Sequence, residues 1–327
     1  MTYKEASSSE LSSDNFDFVL VWNGHFSLPH IPEFEGDETF GGTQYHVHEH
    51  REFKPEVFDG KSVLIVGAWL STLDMIDNIF MRQDVKDKIK PKKVFVASKD
   101  TKMIQGVAEK EFVKDGTLEI KVSNVKKINP TSVEFEDGTT EEIDTIMYWT
   151  GYQYWLPFFD PADKIVDFDT GKDRGYYFGP LYRKMISVNE PNIIFIGFIE
   201  KLLNIIPTLE RQAQLASQHV EGKLELPNKI GMMDSIDKEI EDIKKTGKGL
   251  PQFYKFDPAG YSTFHYNTHM CEMTNLPIDT KNFQPVIELS YGALFELFKN
   301  GNLFDFKQVD YDKLLSGLEF NPTSEYF

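Results

Sequence analysis

The chain has 327 residues, with 35 Lys+Arg against 52 Asp+Glu and a formal net charge of −17. That length allows two domains or one large one, and the content of 40% hydrophobic and 27% charged residues is that of a folded globular chain. The acidic excess argues against a nucleic-acid partner, which needs a concentrated basic surface, and the single cysteine, Cys271, excludes an intramolecular disulfide framework and a Cys-based zinc finger. The longest apolar run, Val63 to Leu70, is far short of the ~20 residues of a membrane span. The polar N-terminus, MTYKEASSSELSSDN, has no apolar signal segment. Together these features predict a soluble, cytoplasmic α/β protein. The aromatic share of 14% suits a Phe-rich core, with a pocket for a planar cofactor as the alternative use.

In chain order, residues 1–15 are polar and Ser-rich and predict a loose segment. Phe16–Trp22 is a β-branched and aromatic run stopped at Asn23-Gly24, a buried strand and its turn. Residues 28–60, with their prolines, glycines and acids, predict an irregular connection. Lys61–Gly67 (KSVLIVG) is nearly all apolar, as in a parallel strand buried on both faces. Ser71 to Phe80 places apolar residues at helical spacing, and Val94–Ala97 is a second apolar strand. Strand, glycine turn, helix and strand make a right-handed βαβ unit. Short strands follow at 118–122 and 132–136, then the turn Asp137-Gly138 and a buried strand Ile143–Trp149. Ile193–Phe198 repeats the buried pattern. Thr208 to Val220 predicts a helix with Pro207 at its start, and residues 232–246 a surface helix with Ile236, Ile240 and Ile243 on one stripe. Leu294–Lys299 predicts a last helix.

The turn after the first apolar strand reads Gly67-Ala68-Trp69-Leu70-Ser71-Thr72. In a dinucleotide-binding unit this turn is G-x-G-x-x-G/A, where glycines permit the turn, the approach of backbone to pyrophosphate, and close helix packing. Only the first glycine is present: Trp69 and Thr72 fill the other places. A nucleotide site and an ordinary single-glycine βα turn therefore both stay open, with Ser71 and Thr72 able to offer hydroxyls and amides to phosphate. Lys99 lies just past the second strand, where a cation would meet the 2′-phosphate of NADP and an acid the ribose of NAD. Lys99 favours NADP and Asp100 points the other way; a solvated charge at a strand end is the bland alternative.

His46, His48 and His50 alternate, which on a strand would put them on one face, and His265, His269 and Cys271 fall within seven residues. Neither set has the ligand spacing of a known metal motif, and no H-E-x-x-H is present; both read as non-metal. No G-x-S-x-G and no Walker loop occurs.

These pieces, in this order, resemble a flavin-containing monooxygenase of the N/S-oxygenating kind, on the trimethylamine monooxygenase branch. The family motif F-x-G-x-x-x-H-x-x-x-[Y/F] is met by Phe40, Gly42 and His46, with His50 in the aromatic place. Asn23-Gly24-His25-Phe26-Ser27 followed by Pro29 is similar to T-G-H-F-S-x-P. Trp149-Thr150-Gly151-Tyr152 resembles A-T-G-Y, and Pro207-Thr208, Glu210 and Gln212-Ala213 match P-T-x-E-x-Q-A. The likeness runs from about residue 16 to beyond 220.

The resemblance implies a Rossmann-like NADP-binding domain (55–150) inserted in a split, partial FAD-binding domain (1–54 and 151–327). It also implies an NADPH- and FAD-dependent enzyme that passes one oxygen atom of O2 to an amine or thioether. Position by position, Gly67, Leu70, Ser71 and Thr72 would form the NADP turn and Lys99 the 2′-phosphate contact, Thr150 would be a further cofactor-binding residue, and Thr208 and Gln212 would lie near the flavin. The family places its G-x-G-x-x-G for FAD before the T-G-H-F-S segment, and no such fingerprint is present here. The expectation is therefore an N-terminally truncated member, with an inactive nucleotide-binding or interaction module as the alternative. A sheet edge would be left exposed. Partner arrangements left open are a homodimer and a separate N-terminal FAD-binding part.

Overall fold

The computed structural model describes residues 2–4, 10–50, 53–82, 85, 88–107, 110–168, 175–200, 205–255 and 263–276; the expected helix Leu294–Lys299 lies outside them. In chain order the strands used below are β1 (Val19–Val21), β2 (Thr43–His46), β3 (Ser62–Val66), β4 (Lys93–Ala97), β5 (Leu118–Lys121) and β6 (Val125–Ile128). They continue with β7 (Ser132–Phe135), β8 (Thr140–Glu142), β9 (Thr145–Tyr148), β10 (Leu181–Tyr182), β11 (Ile186–Ser187) and β12 (Ile193–Phe195). The helices are α1 (Leu70–Phe80), α2 (Glu111–Lys114), α3 (Ile205–Val220), α4 (Lys229–Lys245) and α5 (Thr263–Thr274). The described residues group into two compact units: Pro29–Tyr152 forms one, and the segments before Pro29 and after Tyr152 form the other.

The Pro29–Tyr152 unit is built on a five-stranded, all-parallel sheet in the order β2-β9-β3-β4-β5. Every residue of β3 and β9 is buried, as expected of strands covered on both faces. Successive side chains point to opposite faces and divide the core in two. Val63, Ile65, Val94, Val96 and Met147 pack with Leu73, Met75, Ile76 and Ile79 of α1. Leu64, Val66, Phe95, Ile146 and Tyr148 pack with Val125, Ile128, Val133 and Phe135 of the antiparallel sheet β8-β7-β6. The result is a Rossmann-like three-layer unit with α1 on one face and a β-meander on the other.

Two expectations shift here. Residues 28–60 are not irregular throughout, because Thr43–His46 is an edge strand of the parallel sheet, paired from Thr43↔Thr145 to His46↔Tyr148. Its mixed polar sequence hides it: an edge strand needs one buried neighbour rather than an apolar run. For the same reason the boundary of this unit falls at Leu28/Pro29 rather than at 54/55. The polar N-terminus also holds a ribbon, Thr2–Lys4 paired with Leu11–Ser13.

In the other unit, β10, β11, β12 and β1 form one sheet, antiparallel except for the parallel pair β12–β1. Its core is strongly aromatic: Phe178, Phe195, Phe198, Tyr154 and Tyr254 are buried and contact one another edge-on, tilted or stacked at centroid distances of 5.0–6.4 Å. Pro207 is the third residue of α3, inside the first turn, where no intrahelical N–H bond is lost. Among the described residues β1 pairs on one side only, and Leu20 on it and Trp22 just after it are about half exposed (48% and 57%).

Candidate functional site

The βα turn between β3 and α1 lies at the C-terminal edge of the parallel sheet, where such sheets bind ligands. Gly67 has φ +113°, and a Cβ there would lie 2.4 Å from the Trp149 carbonyl oxygen, so β3 and the chain after β9 can pass this closely only with glycine. The N-cap of α1 is Trp69, whose side chain makes no cap hydrogen bond. The first amides of a helix have no partner within it; here Leu70 and Ser71 are both exposed residues of that first turn, while the Thr72 amide turns back to the Trp69 carbonyl (2.9 Å). These amides and the helix dipole favour an anion.

Thr72 is fully buried and its hydroxyl donates to the Gly67 carbonyl (3.0 Å), so it stiffens the turn rather than offering its oxygen outward. The structure adds a residue that sequence reasoning missed. Trp149 is buried, and its indole Nε1–H donates to the Ser71 carbonyl (2.9 Å), bracing the first turn of α1 from the end of β9. Its place directly after an apolar strand read as more strand; only the fold shows that it meets α1.

Thr150 lies next, but its hydroxyl donates to the His30 carbonyl, and the Gly151 carbonyl accepts the His30 amide (2.9 Å). Lys99, past the end of β4, is paired with Glu136 at 2.8 Å. Its neighbour Asp100 accepts the Lys102 amide (3.2 Å) and so caps its own loop. The structure thus gathers Gly67, Leu70, Ser71 and Thr72 in one turn, with Lys99 at the adjacent strand end, while Thr150 is engaged by backbone.

Thr208 and Gln212 are both fully buried in the other unit. The Thr208 hydroxyl accepts from Asn267 Nδ2 (2.9 Å). Gln212 Oε1 accepts the Gly197 amide (2.9 Å), and its Nε2 donates to the Tyr266 hydroxyl (2.9 Å), which itself donates to the Arg183 carbonyl (2.7 Å). These side chains hold α3, α5 and the sheet together. A flavin is not fitted by them, because both present their polar groups to protein.

The histidines of the sequence motifs are packing residues. His46 is fully buried at the end of β2; its Nδ1 accepts the His48 amide (3.1 Å), and its ring stands edge-on to Tyr152 at 5.1 Å. Burial pushes its pKa down, with the Gly151 backbone offsetting part of that. His50 is buried among Tyr45, Phe53 and Phe58 and is likewise pushed down by burial. His265, His269 and Cys271 lie on α5, where burial pushes the His269 pKa down and the Cys271 thiol up. Among the described residues no group of three or more His, Cys, Asp or Glu is placed to hold a metal ion. None of their helices is long and apolar enough to cross a membrane.

Comparison with known proteins gives a concordant set of matches. The sequence profile described as FMO-like, Flavin-binding monooxygenase-like, matches residues 4–109 and 74–261. The chain is 26% identical over 265 residues to senecionine N-oxygenase of Tyria jacobaeae, covering 78% of this chain and 54% of that protein. It is 28% identical over 246 residues to trimethylamine monooxygenase of Pelagibacter ubique (strain HTCC1002), covering 75% and 48%. In structure it is similar to S-allyl-L-cysteine S-oxygenase from Allium sativum, with TM-score 0.72 and 25% identity over 92% of this chain and 63% of that one. Tmm from Pelagibacter sp. strain HTCC7211, at TM-score 0.66 and 22% identity over 89% and 59%, shares the fold. The chain spans about half the length of these curated relatives.

Proposed function

This chain belongs to the flavin-binding monooxygenase-like family, and from that premise we propose that it supplies the NADP-binding part of an oxygenase acting on a soft nitrogen or sulfur centre. The carrying observation is the turn Gly67–Thr72: a glycine-only close approach followed by an uncapped helix N-terminus, on a parallel sheet. The Leu70 and Ser71 amides would receive the pyrophosphate, Gly67 would keep the turn tight beside it, and Trp149 would hold α1 in place through Ser71. Trp69 stands where the fingerprint has its second glycine, so pyrophosphate would be met by the helix amides rather than by a glycine-lined wall. NADPH, when bound, supplies a hydride. An amine or a thioether is the substrate class, by the N- and S-oxygenating relatives named above.

The family's flavin is the redox group such an enzyme needs, yet Thr208 and Gln212 are engaged inside the protein, and no step is assigned through it. That observation favours a second reading, a nucleotide-binding module without turnover of its own. The two are separated by titrating the purified chain with NADP⁺ by calorimetry, then adding FAD, NADPH and trimethylamine or a thioether. Binding of NADP⁺ with flavin uptake and substrate-dependent NADPH oxidation supports the oxygenase. Binding of NADP⁺ alone supports the module, and no binding of NADP⁺ at millimolar concentration refutes both.

A further inference from the structure

Lys99 is not an open cation. Its Nζ lies 2.8 Å from a Glu136 carboxylate oxygen, which comes from the β7–β8 turn, 37 positions further along the chain. That turn is pinned: the Glu136 amide donates to the Asn124 carbonyl (3.0 Å), the Asp137 amide to Ser123 Oγ (3.2 Å), and the Gly138 amide to the Phe135 carbonyl (3.0 Å). The Lys99 loop is closed on itself as well, with Ser98 Oγ accepting the Asp100 amide (3.2 Å) and donating to the Asp100 carbonyl (3.0 Å). Two stiff turns therefore hold an acid and a base together at the end of the second strand of the βαβ unit. In a dinucleotide-binding fold that place faces the adenosine ribose.

Resting on the nucleotide reading above, we propose that Lys99 and Glu136 form one ribose-2′ subsite in which Glu136 acts as a selectivity residue against a 2′-phosphate. A 2′-phosphate needs the Lys99 ammonium to leave Glu136 and then sits beside a carboxylate of its own sign. A 2′-hydroxyl can donate to Glu136 while the ion pair stays closed. The acid that sequence reading placed at Asp100 is thus supplied by Glu136, and the subsite takes phosphorylated and unphosphorylated ribose with little preference.

The pair faces solvent, with side chains 65% and 43% exposed, so its effect is modest and its removal leaves the fold intact. Calorimetry on the full chain with adenosine 2′,5′-bisphosphate and with 5′-AMP reads the subsite directly, without turnover. Glu136→Gln is expected to raise the affinity ratio of the bisphosphate over 5′-AMP by about three- to tenfold, the scale of one solvent-facing charge acting on a dianion. Lys99→Gln is expected to lower that ratio. An unchanged ratio in Glu136→Gln, with both ligands bound, overturns this subsite alone. Failure of the wild-type chain to bind either ligand overturns the nucleotide reading and the subsite together.

Discussion

Gly67→Ala tests whether the turn after β3 is held by close approach or only by its backbone angle. Two costs separate cleanly because the chain provides a control. Gly116 also has positive φ (+82°), in the same unit, but a Cβ there would meet nothing within 4 Å. Gly116→Ala therefore reports the conformational cost of a left-handed alanine alone, about 1–2 kcal/mol. At Gly67 the added methyl lies 2.4 Å from the Trp149 carbonyl oxygen and 3.0 Å from its carbon, inside the contact distance that real Cβ atoms respect. The obstacle is backbone, flanked by buried Tyr148 and Trp149, and cannot rotate away. Relief means separating β3 from the end of β9, an overpacking cost of about 1–3 kcal/mol added to the conformational one. Urea unfolding should thus place Gly67→Ala about 2–5 kcal/mol below wild type, and clearly below Gly116→Ala. The same displacement loosens the Trp149–Ser71 bond and should weaken NADP⁺ binding. Equal losses in the two variants would refute the close-approach argument.

Three further outcomes follow from buried and edge groups. Lys184 is buried against the Phe253 ring (3.9 Å) and paired with Glu239; Glu239→Gln should cost about 3–5 kcal/mol in urea titration, while the double variant Lys184→Met/Glu239→Leu should recover most of it. If the double variant is no better than the single, the ion pair is not what stabilises this corner. His25, His46 and His50 all have pKa values pushed below 6.5 by burial. They stay neutral in the fold while the unfolded chain takes up protons first, so their contribution is complete above about pH 6.5 and is lost as pH falls toward the depressed values. A urea midpoint that does not drop between pH 7.5 and pH 5.5 would contradict this. Leu20 is exposed on the edge strand β1, so Leu20→Lys should reduce self-association in sedimentation velocity without lowering the melting temperature. Unchanged sedimentation would show that this edge is not sticky.

The central fold was legible where burial is two-sided. KSVLIVG and VFVA announce β3 and β4 because strands covered on both faces need unbroken apolar runs, and the helix between them shows its face in Leu73, Ile76 and Ile79. What escaped were elements whose stability comes from elsewhere. Thr43–His46 is an edge strand fixed by pairing with β9, and Val125–Ile128 and Thr140–Glu142 are meander strands with charged outer faces. α5 carries His265, Asn267 and His269 among its residues, and its burial against α3 depends on Asn267 and Tyr266 bonding to Thr208 and Gln212. At the site, the glycine turn and the helix N-terminus after it were readable. The partners of Lys99, Thr150, Thr208 and Gln212 were not, since these bonds join residues between 15 and 120 positions apart.

The motif Phe40-x-Gly42-x-x-x-His46 shows how a fingerprint can mark packing rather than chemistry. A Cβ on Gly42 would lie 2.3 Å from the Asp144 carbonyl and 2.6 Å from the Phe40 ring. The same Asp144 carbonyl accepts the Thr43 amide (3.1 Å), the Asp144 amide donates to the Ser62 carbonyl (2.9 Å), and its carboxylate accepts the Ser62 amide (2.8 Å). One residue thus aligns the first residues of β2, β3 and β9, and Gly42 is what lets β2 come close enough to join. Four residues on, His46 closes β2 at the opposite end of the sheet, level with Val66 and Tyr148, one step before Gly67. The motif therefore sets the register that delivers the Gly67 turn to the sheet's C-terminal edge. It bears on nucleotide binding through the position of α1, so substitution of Gly42 should lower stability and binding together.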